Sequence, residues 1–338
     1  MTTKPLVLLT TSELETDLVF APASRKELEE TFDVRAVRGD DPRFDELLPK
    51  AFAVIGQPDL PQERLRRAAA LKAVCNVEGN FFPNVDYDAC FRQQVRVLSC
   101  GPVYAQPVAE YALGLALDLA RGISRGDRDF RAGRERYTHE GTTGAVLLRH
   151  ADIGIIGMGN LGRALLPLLR PFAPRLRVFD PWVPSRALAE LDVEVVELDE
   201  LLHASTFVFV LAASTTENAK LLDADKLALM PPGGRLILVS RAATTDFTAL
   251  YDAVSAGHLL AAVDVWPEEP VPADDPARGL EGLVLSAHRA GGIPQVFPLI
   301  GEMVVDDLRQ IASGLPPVRM QIAVPELVSR YRNKPVIR

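Results

Sequence analysis

The segment IGIIGMGNLG, residues 153–162, constrains the fold of this chain more than any other part of the sequence. An apolar run ends in a turn with glycines spaced G-x-G-x-x-G, and a helix-like stretch follows. Gly157 permits the tight turn, Gly159 lets the backbone approach a ligand, and Gly162 lets helix and strand pack closely. The pattern predicts a strand, a turn and a helix whose free N-terminal amides can bind phosphate.

An acidic residue, Asp180, ends the next apolar run, eighteen residues after Gly162. Dinucleotide-binding folds place an acid at about this distance, where it binds the ribose 2′-hydroxyl. A carboxylate there would repel a 2′-phosphate, so the motif favours NAD over NADP. Glycine-rich turns also occur as packing devices alone, but Asp180 and the surrounding strand–helix alternation favour a nucleotide. The motif's candidate cofactor residues are Gly157, Gly159, Asn160, Leu161, Gly162 and Asp180.

Short apolar runs alternate with helix-like stretches on both sides of this motif. In a chain of 338 residues, too long for one ordinary core, this alternation predicts an α/β fold with two doubly wound, parallel-sheet lobes. The strands are expected at residues 6–9, 51–55, 71–77, 95–99, 153–156, 176–179, 207–211, 235–239 and 260–265.

Three stretches have less regular patterns. Pro167 and Pro171 predict a kinked or early-ending helix after the glycine turn. Residues 107–123 are apolar at helical spacing on nearly all sides, which predicts a buried helix. A helix over Leu299–Ala312 is expected to return to the first lobe. The tail after it, Ser313–Arg338, is expected to be irregular, and either straps the surface or covers a cleft.

Composition limits the partners of the chain. The formal charge is −8, the basic residues are scattered, and no apolar run approaches the roughly 18 residues of a membrane helix. We therefore expect a cytoplasmic protein that binds neither nucleic acid nor membrane. The cysteines, Cys75, Cys90 and Cys100, lack metal-ligand spacing, so we expect buried, reduced thiols and no metal site.

Three ionisable residues follow apolar runs in the second half of the chain: Arg241, Glu269 and His288. Ligands of open α/β sheets bind beyond the carboxyl ends of the strands. The guanidinium of Arg241 would bind an anion such as a substrate carboxylate. If Glu269 meets His288, the carboxylate would orient the imidazole and stabilise its protonated form. His288 would then donate a proton to a ketone oxygen during reduction and accept it back during oxidation. Each residue alone is more often structural, and only their combination with the glycine motif favours catalysis.

Five segments together resemble the D-isomer-specific 2-hydroxyacid dehydrogenase family, in the order and at the spacing of that family, and the resemblance covers nearly the whole chain. They are PVAEYALGLALDLAR, GIIGMGNLGR with FDP, LILVSRAATTDFTAL, LLAAVDVWPEEP and VLSAHRAGG. The resemblance implies that Arg241 binds the substrate carboxylate and carbonyl and that Glu269 pairs with His288, the acid/base. It also implies cofactor contacts for Thr215, Val239, Ser240 and Asp264, the last holding the nicotinamide carboxamide.

The same resemblance implies a domain organisation. Residues 1–102 and 296–338 would form a flavodoxin-like substrate domain around an inserted Rossmann-type NAD-binding domain, residues 103–295. The family is typically dimeric through the long helix and its surroundings, so a homodimer is expected.

The loop VEGNFFPNVD, residues 77–86, departs from the family pattern, in which it presents backbone amides to the substrate carboxylate. Phe81 stands where glycine is usual, and its ring either reshapes the pocket or points into the core. Tyr104 replaces a common Asn and either faces the substrate or packs on the hinge. Leu238 also replaces a common Asn. We take Asn80, Phe81 and Tyr104, with Arg241, as candidate substrate-binding residues.

These observations predict an NAD-dependent oxidoreductase that moves a hydride between nicotinamide and C2 of a small, anionic D-2-hydroxy or 2-keto acid. The departures from the family pattern at Phe81, Tyr104 and Leu238 allow a bulky or phosphonate-bearing substrate. Two alternatives stay open: a non-catalytic, NAD-sensing scaffold like the corepressor relatives of the family, and a phosphite-type dehydrogenase. A formate-type enzyme is disfavoured because such sites lack a glutamate at the position of Glu269.

Overall fold

The computed structural model describes residues 4–330. Its strands are β1 (Leu6–Leu9), β2 (Asp33–Ala36), β3 (Ala51–Ile55), β4 (Ala73–Asn76), β5 (Arg96–Ser99), β6 (Asp152–Ile156), β7 (Arg175–Phe179), β8 (Glu194–Val195), β9 (Phe207–Val210), β10 (Gly234–Leu238), β11 (Leu259–Val263), β12 (Leu283–Leu285) and β13 (Gln321–Ile322). Its α-helices are α1 (Glu13–Val19), α2 (Pro22–Thr31), α3 (Pro42–Leu47), α4 (Gln62–Arg67), α5 (Tyr87–Arg92), α6 (Ala105–Arg121), α7 (Ile123–Arg131), α8 (Asn160–Leu169), α9 (Ser185–Ala189), α10 (Leu198–Ala204), α11 (Ala224–Ala228), α12 (Phe247–Ser255), α13 (Phe297–Ala312) and α14 (Pro325–Val328).

The chain divides into two compact units. The first unit contains the chain up to Tyr104 and from Gly292 onwards, and the second contains Ala105–Gly291. That the first unit binds substrate and the second binds NAD is a prediction.

The first unit contains a six-stranded sheet in the order β13-β5-β4-β3-β1-β2. The strands β1 to β5 pair in parallel, and β13 is antiparallel to β5. Without β13, the order is the 2-1-3-4-5 order of flavodoxin-like folds. Apolar clusters lie on both faces of the sheet, so Val74 and Cys75, neighbours in β4, belong to different clusters.

The second unit contains a seven-stranded sheet in the order β12-β11-β10-β9-β6-β7-β8, and all its pairs are parallel. Counted from β6, the first six strands follow the Rossmann order 3-2-1-4-5-6. The central strands β9 and β10 read FVFV and GRLIL and are buried throughout, as expected of parallel strands covered on both faces. The prediction of two doubly wound α/β lobes is confirmed.

Two predicted helices have the expected positions with one difference each. Helix α8 ends at Leu169, and a 3-10 turn over Arg170–Phe172 follows, so the helix ends early. Helix α6 packs on α8, β10 and β11 through one face, whereas Gly114 on the opposite face is exposed. The prediction of a buried helix therefore holds for the packed face and not for the side of Gly114.

The C-terminal segment differs most from its prediction. Helix α13 packs on α1 and α2 of the first unit, as expected. The tail after it is not wholly irregular, because the two-residue β13 extends the first sheet and the four-residue α14 packs on α5. The buried carboxylate of Asp307 accepts hydrogen bonds from the amides of Val318, Arg319 and Met320, at 2.7–3.2 Å, and so fixes the start of the tail. Residues 331–338 of the tail lie outside the described residues.

Candidate active site

The glycine turn lies where the strand order of the second sheet reverses, between β6 and β9. Gly157 has φ +96°, and a Cβ there would lie 2.6 Å from the amide nitrogen of Ala212, just beyond β9. A Cβ at Gly162 would lie 2.5 Å from the carbonyl oxygen of Gly157. Both glycines therefore allow backbone contacts that any side chain would disrupt.

The third glycine of the turn borders open space. Gly159 precedes α8, makes no side-chain cap, and a Cβ there would have no described atom within 4 Å. The first amides of α8, beginning at Asn160 and Leu161, thus have no capping side chain and can donate to a phosphate. The geometry fits the pyrophosphate of a dinucleotide.

Asp180 lies directly against the glycine turn. Its Oδ2 accepts a hydrogen bond from the amide of Met158 at 2.7 Å, and its Oδ1 accepts two, from the amides of Trp182 and Val183 at 2.9 and 3.3 Å. The carboxylate is partly exposed, and a carboxylate has about four acceptor positions, so it can also accept from ribose hydroxyls.

The residues expected to line the cofactor lie at the carboxyl ends of β9 and β10. Val239 and Ser240 are buried directly after β10, and the Ser240 Oγ has no hydrogen-bond partner within residues 4–330. Thr215 is buried beyond β9 and donates from its amide to Asn218 Oδ1 at 2.8 Å. An unpaired buried hydroxyl at this edge fits a polar ligand.

Glu269 and His288 form a hydrogen-bonded pair in the second unit. His288 Nδ1 lies 2.8 Å from Glu269 Oε2, and the other carboxylate oxygen accepts from the amide of Trp266 at 3.0 Å. If Nδ1 carries its proton toward Glu269, Nε2 is left for proton exchange with a ligand. The imidazole is 38% exposed, so a ligand can reach it.

The backbone around His288 is constrained. His288 has φ +50°, in the left-handed region that is unfavourable for a residue with a Cβ. Its amide donates to the carbonyl of Asp264 at 2.8 Å, and the next two amides, of Arg289 and Ala290, donate to the Asp264 carboxylate at 2.8 and 3.0 Å. Asp264 is 1% exposed and therefore anchors the loop that carries the histidine.

Arg241 lies in the same unit, at the end of β10. Burial lowers the pKa of its guanidinium, and the charge of Glu269 opposes that shift. Within residues 4–330 the guanidinium donates one hydrogen bond, from Nη1 to the carbonyl of Ser240 at 2.6 Å. A partly buried guanidinium that makes one hydrogen bond within residues 4–330 and lies near Glu269 is suited to bind an anionic ligand.

The candidates of the first unit lie in different surroundings. Phe81 is 5% exposed and packs edge-on against Tyr87, with ring centroids 6.3 Å apart, which favours the core alternative. Tyr104 is partly buried, and its ring lies 2.9 Å from where a Cβ at Gly79 would be, which favours packing. Asn80 is partly exposed.

Sequence reasoning did not single out three residues that contact this site: Tyr111, Trp266 and Ser286. Trp266 Nε1 donates to the carbonyl of Ser286 at 2.7 Å, and the Ser286 hydroxyl bonds both Asp264 and Tyr111. Their only signal in the sequence is proximity to predicted site residues, for Trp266 and Ser286, and a polar side chain within an apolar helix, for Tyr111.

Within residues 4–330, no three His, Cys, Asp or Glu side chains are grouped to hold a metal, and no helix has the length and apolarity to span a membrane. The three cysteines are unpaired and buried, and burial raises their thiol pKa values, that of Cys90 to about 12.

Comparison with known proteins identifies a family. The family model described as D-isomer specific 2-hydroxyacid dehydrogenase, NAD binding domain, matches residues 113–290, which lie in the second unit. A phosphoglycerate oxidoreductase from Rhizobium etli has a similar structure, with a TM-score of 0.85 and 41% identity, covering 95% of this chain and 99% of that chain.

Two curated relatives carry different names. D-3-phosphoglycerate dehydrogenase of Mycobacterium bovis is 30% identical over 87% of this chain and 56% of its own length. Glyoxylate reductase of Korarchaeum cryptofilum is 29% identical over 70% of this chain and 72% of its own length. The chain spans about half the length of the phosphoglycerate dehydrogenases it matches.

Proposed function

The chain belongs to the D-isomer specific 2-hydroxyacid dehydrogenase family, and on that premise we propose that it is an NAD-dependent oxidoreductase acting at C2 of a small D-2-hydroxy or 2-keto acid. The observation that carries this proposal is the 2.8 Å hydrogen bond between His288 Nδ1 and Glu269 Oε2, in the same unit as the glycine turn. A paired histidine near a partly buried arginine is suited to proton transfer to a bound keto acid.

NAD supplies the hydride chemistry when bound, and the protein supplies position and charge. In the reducing direction a 2-keto acid takes a hydride at C2 and a proton at the carbonyl oxygen, and becomes the 2-hydroxy acid. His288 Nε2 donates that proton and Glu269 stabilises the imidazolium. In the oxidising direction Nε2 accepts the proton. Arg241 holds the substrate carboxylate and polarises the carbonyl.

The cofactor contacts follow the site geometry. The amides around Gly159 bind the pyrophosphate, and Asp180 accepts from the ribose hydroxyls, which disfavours NADP. Asp264 accepts from the nicotinamide carboxamide, and Ser240 Oγ supplies a further polar contact.

We expect the substrate to be unphosphorylated. The loop of residues 77–86 contains no lysine or arginine, and it contains the acids Glu78 and Asp86. Arg241 can neutralise one carboxylate, and a phosphoryl group would need further cationic donors. The two curated relatives are named for different substrates, a phosphorylated acid and glyoxylate, so the test compares these two kinds of acid.

The test is NADH oxidation followed optically, with glyoxylate, larger 2-keto acids, and the 2-keto form of 3-phosphoglycerate as substrates, and NADPH as the parallel cofactor. Saturable turnover with NADH, fastest on unphosphorylated acids, supports the proposal. NADH binding without turnover on any acid would favour the scaffold. NAD reduction by phosphite alone would favour the phosphite-type enzyme.

We also propose that the chain forms a homodimer through an exposed apolar surface of the second unit. Ile123, Phe130, Tyr137 and Leu147 are each 61–68% exposed, within 25 residues of sequence. Four large apolar side chains exposed within one short segment indicate an interaction surface. Sedimentation of the wild type and of Phe130→Glu tests the proposal: a dimer that the substitution dissociates is expected, and a monomeric wild type would contradict it.

A further inference from the structure

Ser286 connects three elements of the second unit. It directly follows β12 and precedes His288 by two residues. Its amide donates to the carbonyl of Val263 at 2.9 Å, and its carbonyl accepts from Trp266 Nε1 at 2.7 Å. Its hydroxyl lies 2.5 Å from Asp264 Oδ1 and 2.7 Å from the phenol oxygen of Tyr111 on α6. Every polar atom of Ser286 is thus engaged.

The direction of these bonds follows from counting protons. An ionised carboxylate only accepts, so the single Ser286 hydroxyl proton points to Asp264. Tyr111 must then donate its phenol proton to the Ser286 Oγ. The result is a chain of two bonds, from Tyr111 through Ser286 to Asp264, in which the first bond strengthens the second.

This chain matters because Asp264 is a buried carboxylate. It is 1% exposed, and no lysine, arginine or histidine forms an ion pair with it among the described residues. Its compensation comes from three donors: the Ser286 hydroxyl and the amides of Arg289 and Ala290. A buried carboxylate that loses one of few donors rotates toward the donors that remain, because an unsatisfied buried acceptor is costly.

We propose that Tyr111 and Ser286 are positioning residues that keep the Asp264 carboxylate oriented. Oδ1 accepts two bonds and Oδ2 accepts one, from Ala290, so Oδ2 retains acceptor capacity for an N–H donor of the nicotinamide carboxamide. The same carboxylate holds the two amides after His288 and so sets the position of the imidazole. The proposal rests on the proposed function and extends it to two residues that touch neither cofactor nor substrate.

The test uses equilibrium binding of NAD and of its 3-acetylpyridine analogue, whose acetyl group has no N–H to donate. We expect wild type to bind NAD more tightly than the analogue. Ser286→Ala should weaken NAD binding about tenfold and abolish the preference, and Ser286→Thr, which keeps the hydroxyl, should restore both. Tyr111→Phe should weaken NAD binding about threefold, and adding it to Ser286→Ala should have no further effect, because the two residues act in series.

Tyr251→Phe is the matched control, because Tyr251 donates its phenol proton to Asp275 at 3.2 Å elsewhere in the same unit. It should leave NAD binding and the preference unchanged. Thermal unfolding shows whether each variant folds. If Ser286→Ala does not fold, Ser286→Thr and Tyr111→Phe provide the test. An unchanged NAD preference in Ser286→Ala, or unchanged NAD binding in Tyr111→Phe, overturns the positioning role. A wild type that binds neither dinucleotide overturns the proposed function instead.

Discussion

Two loops of this molecule each follow the carboxyl end of a parallel strand, yet different forces hold them. The loop after β12, residues 286–290, is held by ionised and polar side chains, chiefly Asp264 and Glu269. The loop after β4, residues 77–86, is held by buried aromatic rings. Phe81 and Phe82 are at most 5% exposed, and Tyr87 donates to the carbonyl of Phe82 at 2.6 Å.

The difference indicates what each loop contributes. In the loop of residues 286–290, bonds to specific side chains leave an imidazole in place for chemistry, so its substitutions should change rate more than stability. In the loop of residues 77–86, the buried aromatic side chains fill volume. Substitutions of those rings should change stability more than rate.

Of the variants that test this difference between the two loops, His288→Ala should have the largest effect on rate. General acid–base catalysis contributes about 10²–10⁴-fold, so we expect kcat to fall about 10³-fold, or about 4 kcal/mol of activation free energy. NADH affinity, measured by fluorescence titration, should stay within about twofold, because the imidazole is not part of the glycine turn. His139→Ala, at an exposed histidine of the same unit, is the control and should retain full turnover. Wild-type kcat in His288→Ala would remove His288 from the mechanism.

The opposite result is expected for Phe81→Ala. Removing a buried phenyl ring costs about 3–5 kcal/mol, and we expect about 3 kcal/mol less unfolding free energy, measured by denaturant titration. The substrate KM of the folded variant should stay within about threefold of wild type, because the ring is buried. Phe81→Leu, which keeps most of the volume, should lose about 1 kcal/mol. Unchanged stability with a raised KM would instead make the ring a substrate contact.

The sequence was sufficient for elements with strong local patterns. Continuous apolar runs such as FVFV and LLAAV predicted buried parallel strands, and their alternation with helices predicted both sheets. Edge strands were missed because they lack that pattern: β8 is exposed, and β13 has two residues and pairs with β5, more than 200 residues away in sequence. Pairing over such a distance has no local signature.

The site residues likewise divide into those that have a local signal in the sequence and those that have none. Arg241, Glu269 and His288 could be singled out because each is an ionisable residue just past an apolar run, although their roles stay predictions. Ser286 and Tyr111 could not, because a serine and a tyrosine 175 positions apart are connected only by the fold. For Phe81, the choice between pocket and core required its burial, which the sequence does not contain.

The two units can also be compared through one buried carboxylate in each, which accepts hydrogen bonds from backbone amides. Asp264 holds the loop of residues 286–290, whereas Asp307 holds the tail at Val318, Arg319 and Met320. Asp307→Ala should lower the unfolding free energy by about 2 kcal/mol, because three amides lose their acceptor. Limited proteolysis should cleave the tail faster, while kcat stays unchanged. A fall in kcat without loss of stability would mean that Asp307, like Asp264, serves the reaction.

The smallest effect is expected at a surface carboxylate of the second unit, Asp152, which bonds Arg175 and Arg177. The hydrogen bond from Arg175, and then that from Arg177, lower the pKa of Asp152 from 3.8 to about 2, although partial burial opposes them. Because the folded pKa lies below the unfolded one, the ionised carboxylate stabilises the fold above about pH 4, and this contribution is lost as pH falls toward 2.

Since the cluster is partly solvent-screened, Asp152→Asn should lower the unfolding free energy by only about 1 kcal/mol at pH 7. The difference from wild type should shrink on acidification below pH 4. Asp127→Asn is the control: it removes an exposed pair with Arg131, which also lowers the pKa of Asp127, but because solvent screens this pair its pH-dependent difference should have the same sign and be smaller. A difference between Asp152→Asn and wild type that stays constant down to pH 2 would mean that the side chain acts through packing rather than charge.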